Sequence, residues 1–207
     1  DDQGEIVGYH GITRNVTERK RLEEQVRQLA FHDPLTRLAN RRLLLDHLDQ
    51  AMAASKRSHN HGALLFLDLD NFKPLNDTHG HGMGDLLLIE VASRLKACVR
   101  DADTVARIGG DEFVVLLCTL DPQREVAGMQ AIAVAEKVRA RLAECNVLRP
   151  LPGAQPIEHS CTASIGVALF HGRDEILDNL MERADQAMYQ AKEDGRNRVQ
   201  LAQAAKK

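Results

Sequence analysis

Residues 107–113, Arg-Ile-Gly-Gly-Asp-Glu-Phe, have the composition of a turn that could carry phosphate chemistry. They lie between two β-prone stretches, 104–108 and 113–117, which predicts a hairpin whose glycines supply the positive φ angles of a tight turn. Asp111 and Glu112 then stand together at the start of the returning strand. Adjacent carboxylates repel each other unless a cation compensates them, and glycines let a large anion approach the backbone. A metal ion bearing a phosphate would satisfy both features. The alternative is an acidic turn whose charges only keep this segment soluble.

A second acidic segment ends an apolar run earlier in the chain. Residues 63–67 are continuously apolar and lead into Asp-Leu-Asp at 68–70, as in a buried central strand that delivers carboxylates at its carboxyl end. If this strand neighbours the predicted hairpin, the two acidic groups share one rim of a sheet. Two strands that present carboxylates at one rim are suited to two-metal phosphoryl transfer.

The sequence excludes three other types of site. A calcium loop starting at Asp68 would need an oxygen ligand at Phe72 and a glycine at Lys73. The chain has no G-x-x-x-x-G-K-[ST] run, so a P-loop is excluded. Residues 80–84 are rich in glycine, but their spacing does not match the dinucleotide fingerprint. His79 and His81 form an H-x-H pair for which turn and substrate roles are favoured over metal binding.

Composition narrows the class of protein. With 207 residues, 43% of them hydrophobic and 28% charged, the chain can hold one ordinary soluble domain and an appendage. A net charge of −3 and 3% aromatic residues argue against nucleic acid as a partner. The chain contains no apolar run long enough to span a membrane, so no membrane contact is expected. We expect a cytoplasmic protein whose cysteines are reduced core residues, because their spacing suits neither zinc nor a disulfide scaffold. These are Cys98, Cys118, Cys145 and Cys161.

Alternating periodicity predicts an α+β sandwich in which helices pack on a mostly antiparallel sheet. The predicted helices are 41–56 (capped by Asn40), 85–99, 124–144 and 175–192; the predicted strands are 63–67, 104–108, 113–117, 159–170 and 199–201. Residues 71–84 are expected to be turn-rich, with Pro74 and three glycines. Before this domain, residues 5–13 predict a lone strand. A helix that starts at Thr17 then carries a narrow stripe of Leu22, Val26 and Leu29, typical of a helix that pairs with another.

These motifs together resemble the GGDEF family of diguanylate cyclases. Four segments carry the resemblance, in order: Asp-Pro-Leu-Thr-Arg-Leu-Ala-Asn-Arg-Arg from residue 33, the run 67–85, the turn 107–113, and Ala-Met-Tyr-Gln-Ala-Lys-Glu-Asp-Gly-Arg-Asn-Arg from residue 187. The resemblance implies a cyclase/polymerase-palm-like fold. It implies an enzyme that condenses two GTP into cyclic di-GMP and two pyrophosphates across a homodimer, with Mg²⁺ or Mn²⁺.

The resemblance also implies roles for individual residues. Metal ligands would be Asp68, the Leu69 carbonyl, Asp111 and Glu112, with Asp111 as the candidate that activates the attacking 3′-hydroxyl. The implied substrate-binding residues are Phe72 and Lys73 for phosphates, Asn76, His81 and Asp85 for the nucleoside, and Lys192 and Arg196 for the terminal phosphates. Without the motif, Asp85 would be read as a helix N-cap, and Lys192 and Arg196 as a basic helix end.

Arg100 and Asp103 match the family's R-x-x-D site, which implies allosteric binding of the cyclic di-GMP product and inhibition by it. A guanidinium suits guanine stacking and a carboxylate suits the Watson–Crick edge. The alternative is a solvated charged turn between a helix and a strand.

The first residues resemble the end of a PAS sensor domain running into its signalling helix. We therefore expect a PAS remnant at 1–16, a signalling helix at 17–31, the cyclase domain at 32–203 and a tail at 204–207, with the sensory core missing. Two functional alternatives stay open: a catalytically silent domain that binds GTP or cyclic di-GMP, and a module that regulates a phosphodiesterase domain. The intact acidic turn favours the active enzyme.

Overall fold

The computed structural model describes Glu18, Arg21, Leu22 and residues 28–148 and 155–203. Contacts divide the chain into two units, Asp1–Ala30 and Phe31–Lys207. The strand expected at 5–13, the cap at Thr17, the side chain of Val26 and the tail lie outside the described residues.

In the first unit the described residues are helical, and Leu22 and Leu29 are exposed. No helix within the described ranges is both long and apolar enough to cross a membrane.

A five-stranded sheet organises the second unit. Its strands are β1 (Gly62–Leu69), β2 (Thr104–Gly109), β3 (Glu112–Leu117), β6 (Ala163–Phe170) and β7 (Val199–Leu201); β4 (Asn146–Leu148) and β5 (Ile157–His159) form a separate pair. The order is β2-β3-β1-β6-β7, and every neighbouring pair is antiparallel except β6 with β7. The predicted mostly antiparallel sheet of an α+β fold is therefore confirmed.

Helices cover both faces of this sheet, so β1 is buried along its whole length. The helices are α1 (Arg41–Ser58), α2 (Phe72–His79), α3 (His81–Cys98), α4 (Arg124–Ala143) and α5 (Leu177–Glu193). Successive β1 side chains point to opposite faces: Leu65 and Leu67 join the core under α3 and α4, whereas Leu64 and Phe66 join the core under α1 and α5. Each buried leucine contributes about 1.5–3 kcal/mol of hydrophobic stabilisation. The end of β1, where the acidic segment begins, is therefore rigidly held.

The acidic turn joins β2 to β3 as a hairpin, as predicted, but only one of its glycines has a left-handed backbone. Gly110 has φ 44°, while Gly109 pairs with Glu112 as the last residue of β2. The register shifts between Arg107 and Gly109, which leaves Ile108 as a bulge.

The segment 71–84, predicted to be turn-rich, is instead mostly helical. α2 starts at Phe72, so Pro74 falls in its first turn, where the missing N–H of proline would be unpaired anyway. Gly80, with φ 81°, separates α2 from α3. Since α3 begins at His81 rather than Asp85, the N-cap interpretation of Asp85 is wrong.

The strand predicted at 159–170 is broken. Residues 160–162 separate β5 from β6, and β5 pairs with β4, a strand that the sequence did not indicate. All four cysteines are free; Cys98 and Cys161 are buried as expected, whereas Cys145 is exposed.

Candidate active site

Strand pairing brings the two acidic segments together. β1 and β3 are hydrogen-bonded neighbours, and Asp68 lies directly opposite Glu112. The backbone N–H of Leu69 donates to the carbonyl of Asp111 at 3.3 Å, which ties the turn to the end of β1. The adjacency expected from the sequence is therefore present, and we call Asp68, Asp111 and Glu112 the carboxylate rim.

Burial and repulsion from neighbouring carboxylates raise the pKa values of Asp68 and Glu112. Desolvation raises the pKa of Asp68; the Lys192 hydrogen bond opposes this rise, while the nearby Asp111 charge adds to it. Desolvation also raises the pKa of Glu112, with further contributions from Asp68, Asp185 and Asp111. A cation placed among these groups would favour their charged forms and so lower both pKa values.

Lys192 supplies one such positive charge. It sits in the last turn of α5, and its Nζ lies 2.8 Å from Asp68 Oδ2. Lys192 is far from Asp68 in sequence, so their pairing follows from α5 packing beside β1. The sequence resemblance placed Lys192 on phosphates, and the structure additionally shows it on a rim carboxylate.

The residues fit a hard divalent cation. Carboxylate and carbonyl oxygens are the ligands that Mg²⁺ prefers, and the rim offers carboxylates whose charges are poorly compensated. Among the described residues, no three acidic, histidine or cysteine side chains converge tightly enough to form a complete protein-only metal cage. Mg²⁺ usually keeps several waters and also binds substrate phosphates, so it does not need a complete cage of protein ligands and an open rim suits it.

The predicted nucleotide residues line α2 and the start of α3. Phe72 and Asn76 are half-buried, whereas Lys73, His81 and Asp85 are exposed. Asn76 Oδ1 is buried and has no hydrogen-bond partner within the described part of the chain. A Cβ at Gly84 would lie 2.0 Å from that oxygen, so the glycine makes room for the amide. Leaving a buried acceptor unpaired costs free energy, so a ligand donor that reached Asn76 would be stabilising. The exposed Asp85 carboxylate can likewise accept from the donors of a guanine ring.

Arg196 lies in the turn between α5 and β7, after the last turn of the helix that carries Lys192. Gly195, Arg196 and Asn197 have positive φ angles of 114°, 63° and 45°. Lys192 and Arg196 therefore belong to one helix end.

The Arg100–Asp103 turn shows features of both interpretations. Asp103 closes the turn by accepting from the Arg100 N–H at 3.1 Å, and its other oxygen accepts from Cys118 N–H at 3.2 Å. Yet Arg100 and Asp103 also line a cavity of about 590 Å³, together with Lys137 of α4. Sequence analysis missed Lys137, because a lysine on an amphipathic helix carries no local signal of a distant cavity.

A second missed contact supports the acidic turn. Arg107 donates to the Gly110 carbonyl through Nε (2.9 Å) and Nη2 (2.7 Å), and its Nη1 reaches both Asp33 oxygens at 3.1 and 3.2 Å. Asp33 also accepts from the Thr36 N–H and hydroxyl. Burial alone would raise the pKa of Asp33, but the Thr36 and Arg107 hydrogen bonds outweigh it and lower the pKa. The Asp-x-x-Thr spacing was the available signal for this capped turn.

Comparisons with known proteins identify the family of this chain. A family model described as "Diguanylate cyclase, GGDEF domain" matches residues 30–198. The bifunctional diguanylate cyclase/cyclic di-GMP phosphodiesterase MucR of Pseudomonas aeruginosa is 45% identical over 87% of this chain. Diguanylate cyclase DgcM of Escherichia coli (strain K12) is 39% identical over 92% of this chain. The chain spans only 25% and 43% of the lengths of these two relatives.

Solved structures show the same fold. The coiled coil and GGDEF domain of DgcB from Caulobacter crescentus, in complex with c-di-GMP, matches with a TM-score of 0.77 and 35% identity, over 90% of this chain and 93% of that one. The GGDEF domain of YfiN (TpbB) from Pseudomonas aeruginosa matches with a TM-score of 0.73 and 34% identity, over 82% and 99%. The chain that presents this carboxylate rim therefore belongs to the GGDEF family of diguanylate cyclases.

Proposed function

We propose that this chain is an active diguanylate cyclase that condenses two GTP into cyclic di-GMP and two pyrophosphates, with Mg²⁺ or Mn²⁺, across a homodimer. The observation that carries the proposal is the register that sets Asp68 opposite Glu112, with Lys192 2.8 Å from Asp68. A catalytically silent domain would not need crowded, poorly compensated carboxylates beside a basic helix end.

The metal would be held by Asp68, the Leu69 carbonyl, Asp111 and Glu112. Bound there, it would neutralise phosphate charge and stabilise the charge that develops on the transferring phosphoryl group. Asp111, next to Gly110 in the turn, would accept the proton of the attacking 3′-hydroxyl.

The remaining site residues bind and orient the nucleotide. Lys73, Lys192 and Arg196 provide positive charge for the phosphates, and Phe72 forms part of the wall below them. Asn76 and Asp85 read guanine, the carboxylate accepting from N1–H and the exocyclic amine. His81, exposed at the first position of α3, contacts the nucleoside.

The reaction needs a second copy of the chain, because each rim holds one GTP and two must meet head to tail. A two-fold arrangement satisfies this requirement. We assign the pairing element to the helix at 17–31, where Leu22 and Leu29 are 55% and 69% exposed. Residues 1–16 are assigned to a PAS remnant and 32–203 to the cyclase domain. We extend the same proposal to the activity of any longer protein that contains this chain.

We assign product inhibition to Arg100 and Asp103, and add Lys137 as a third candidate. The cavity that these residues line carries two cations, Arg100 and Lys137, and two carboxylates, Asp103 and Asp121. It therefore offers donors for phosphates and acceptors for guanine edges. Asp103 keeps lone pairs for such a ligand even while it accepts from two backbone amides.

The test is direct. Purified chain is incubated with GTP and Mg²⁺, and cyclic di-GMP and pyrophosphate are quantified by chromatography. Asp111→Ala should lower the rate about a thousandfold or more, since metal-assisted stabilisation of the transition state is worth several kcal/mol.

Asp46→Ala removes an exposed carboxylate of α1 and serves as the matched control, which should keep the native rate. Circular dichroism shows that both variants are folded. A near-native rate in Asp111→Ala would contradict the metal assignment, and absence of product from the native chain would favour the silent alternative.

A further inference from the structure

The Asp70 carboxylate lies buried behind the carboxylate rim, and both of its oxygens are occupied. The residue is 4% exposed. Oδ2 accepts from the Thr162 hydroxyl at 2.6 Å and from the backbone N–H of Asn197 at 3.1 Å. Oδ1 accepts from the Ser164 hydroxyl at 2.8 Å. The Asp70 carboxylate thus faces β6 and the α5–β7 turn.

A buried carboxylate is costly unless its partners satisfy it. Within the described residues Asp70 forms no ion pair, and the donors that satisfy it are two hydroxyls and one peptide N–H. Hydroxyls can rotate to other acceptors, but the Asn197 N–H has one fixed direction. The contact to Asn197 is therefore the one that depends most on Asp70.

Asn197 ends a turn whose backbone conformation is unfavourable for residues other than glycine. Arg196 and Asn197 both have left-handed φ angles, a conformation that costs roughly 1–3 kcal/mol per residue and persists only when the surroundings fix it. Three contacts fix it here. Arg196 N–H donates to the Ala191 carbonyl at 3.0 Å, Arg139 donates to Asn197 Oδ1 at 2.9 Å, and Asn197 N–H donates to Asp70.

We propose that Asp70 is a positioning residue, which holds the Arg196–Asn197 peptide and thereby places Arg196 for the terminal phosphates of the substrate. This inference rests on the proposed function, in which Arg196 binds phosphate. Asp68 and Asp70 leave the same end of β1, so one short segment sets both the metal ligand and the phosphate-binding turn. The distance between the metal ligand Asp68 and the phosphate-binding turn is then fixed by β1 and does not depend on the substrate.

Two variants separate this role from a charge effect. Asp70→Ala removes the acceptor of the Asn197 N–H. Asp70→Asn can keep it, because the amide oxygen can face Asn197 while the amide nitrogen donates to the Ser164 hydroxyl. If Asp70 acted through its charge, as a metal ligand would, both variants would be equally impaired.

The readout is equilibrium binding, in the presence of Mg²⁺, of a GTP analogue with a methylene bridge between the α and β phosphorus atoms, compared with GMP. GMP lacks the phosphates that Arg196 contacts. We expect Asp70→Ala to lose about tenfold in affinity for the analogue, equal to about 1.4 kcal/mol, and to bind GMP as the native chain does. Asp70→Asn and the control Ser164→Ala, which leaves the Asn197 contact intact, should retain the native preference.

Equal losses for both nucleotides in Asp70→Ala, or an Asp70→Asn variant as impaired as Asp70→Ala, would overturn the inference while leaving the proposed function standing. A native chain that binds neither guanine nucleotide would overturn both. Hydrogen exchange of the native chain provides a test that does not depend on the variants folding. The Asn197 amide should be protected like that of Ile165, which donates to the Arg198 carbonyl at 3.0 Å. Exchange at the rate of an unstructured amide would refute the contact.

Discussion

At the scale of single residues, the structure excludes the alternative role of Asp85 as a helix N-cap. α3 begins at His81, so Asp85 lies one turn inside the helix and is exposed, where it caps nothing. A carboxylate there costs the helix little and remains available for a ligand. Asn76 Oδ1, on α2, is an acceptor that also lacks a partner within the described ranges, but it is buried.

Asp85→Ala should therefore weaken GTP binding without unfolding the helix. We expect a loss of about tenfold or more for GTP and no change for ATP, because only guanine offers donors to the carboxylate. Competition binding with both nucleotides measures the ratio. Ser93→Ala, an exposed substitution on the same helix, is the control and should leave the ratio unchanged. Equal affinity of the native chain for GTP and ATP would contradict the role.

At the scale of elements, the hairpin is anchored to the start of the domain by Arg107. One guanidinium joins Asp33 to the Gly110 carbonyl, and Asp33 also receives two hydrogen bonds from Thr36. The acidic turn is thus held from outside as well as by its own strands. The Arg107 and Asp33 side chains are only 14% and 16% exposed, so solvent screens this pair less than a surface ion pair.

The lowered pKa of Asp33 makes this anchor sensitive to acid. A carboxyl whose pKa is lower in the folded protein contributes stability above its unfolded pKa of about 3.9, and loses it as pH falls through the folded pKa. We expect Asp33→Asn to lower the free energy of unfolding by about 1–2 kcal/mol at pH 7. The difference from the native chain should be smaller at pH 3, which lies below the unfolded-state pKa and closer to the lowered pKa of the folded carboxyl.

Urea denaturation at both pH values measures this effect. Asp49→Asn is the control, because the Asp49–Arg173 pair is about half exposed, and it should change stability by about 0.5 kcal/mol or less at either pH. A constant difference between Asp33→Asn and the native chain across the pH range would show that the Asp33 charge has no role.

Elements were predictable where one local rule decided them. Asn40 accepts from the Leu43 N–H and caps α1 as predicted, and the apolar run of β1 is the central strand. α2 was missed because Pro74 and the glycines suggested turns, whereas a proline in a first helical turn is compatible with a helix. β4 was missed because three residues carry too little periodicity to be recognised without their partner strand.

At the scale of the whole molecule, the acidic segments could be predicted from the sequence, but the contacts that hold them in place could not. The sequence motifs identified Asp68 and Asp111, and the strand order placed them together. The contacts of Lys192 with Asp68, of Arg107 with Asp33, and of Lys137 with the Arg100 cavity join residues distant in sequence. Such contacts depend on how helices pack on the sheet, which no local pattern specifies.

The proposed dimer predicts that specific activity falls on dilution. Leu22 and Leu29 form a short apolar stripe, and a short stripe pairs weakly. Replacing both by serine should shift the fall to about tenfold higher protein concentration, measured by cyclic di-GMP production across a dilution series. Met129→Ser, which removes a 64% exposed apolar residue of α4, is the control. Specific activity that stays flat well below the measured dimer constant would exclude the dimer requirement.

The proposed product inhibition belongs to the same scale, because it would link the cavity at Arg100 and Asp103 to the reaction at the rim. Added cyclic di-GMP should slow the native chain, and Arg100→Ala should need about tenfold more product for the same inhibition. Progress curves at several product concentrations provide the measurement. Arg173→Ala replaces an exposed arginine that does not line the Arg100–Asp103 cavity and should be inhibited normally. Equal inhibition of the native chain and Arg100→Ala would leave Arg100–Asp103 as a charged turn only.

The register between β1 and β3 also limits how this domain can lose its activity during evolution. Side chains alternate along a strand, so deleting one residue between Arg107 and Glu112 would turn Phe113, now fully buried, towards the opposite face. Such a length change would damage the fold together with the chemistry. A replacement at Asp111, in the turn, changes no pairing. Descendants that give up catalysis yet keep the domain as a sensor or scaffold should therefore differ from this chain in the identity of the turn residues and share its loop length.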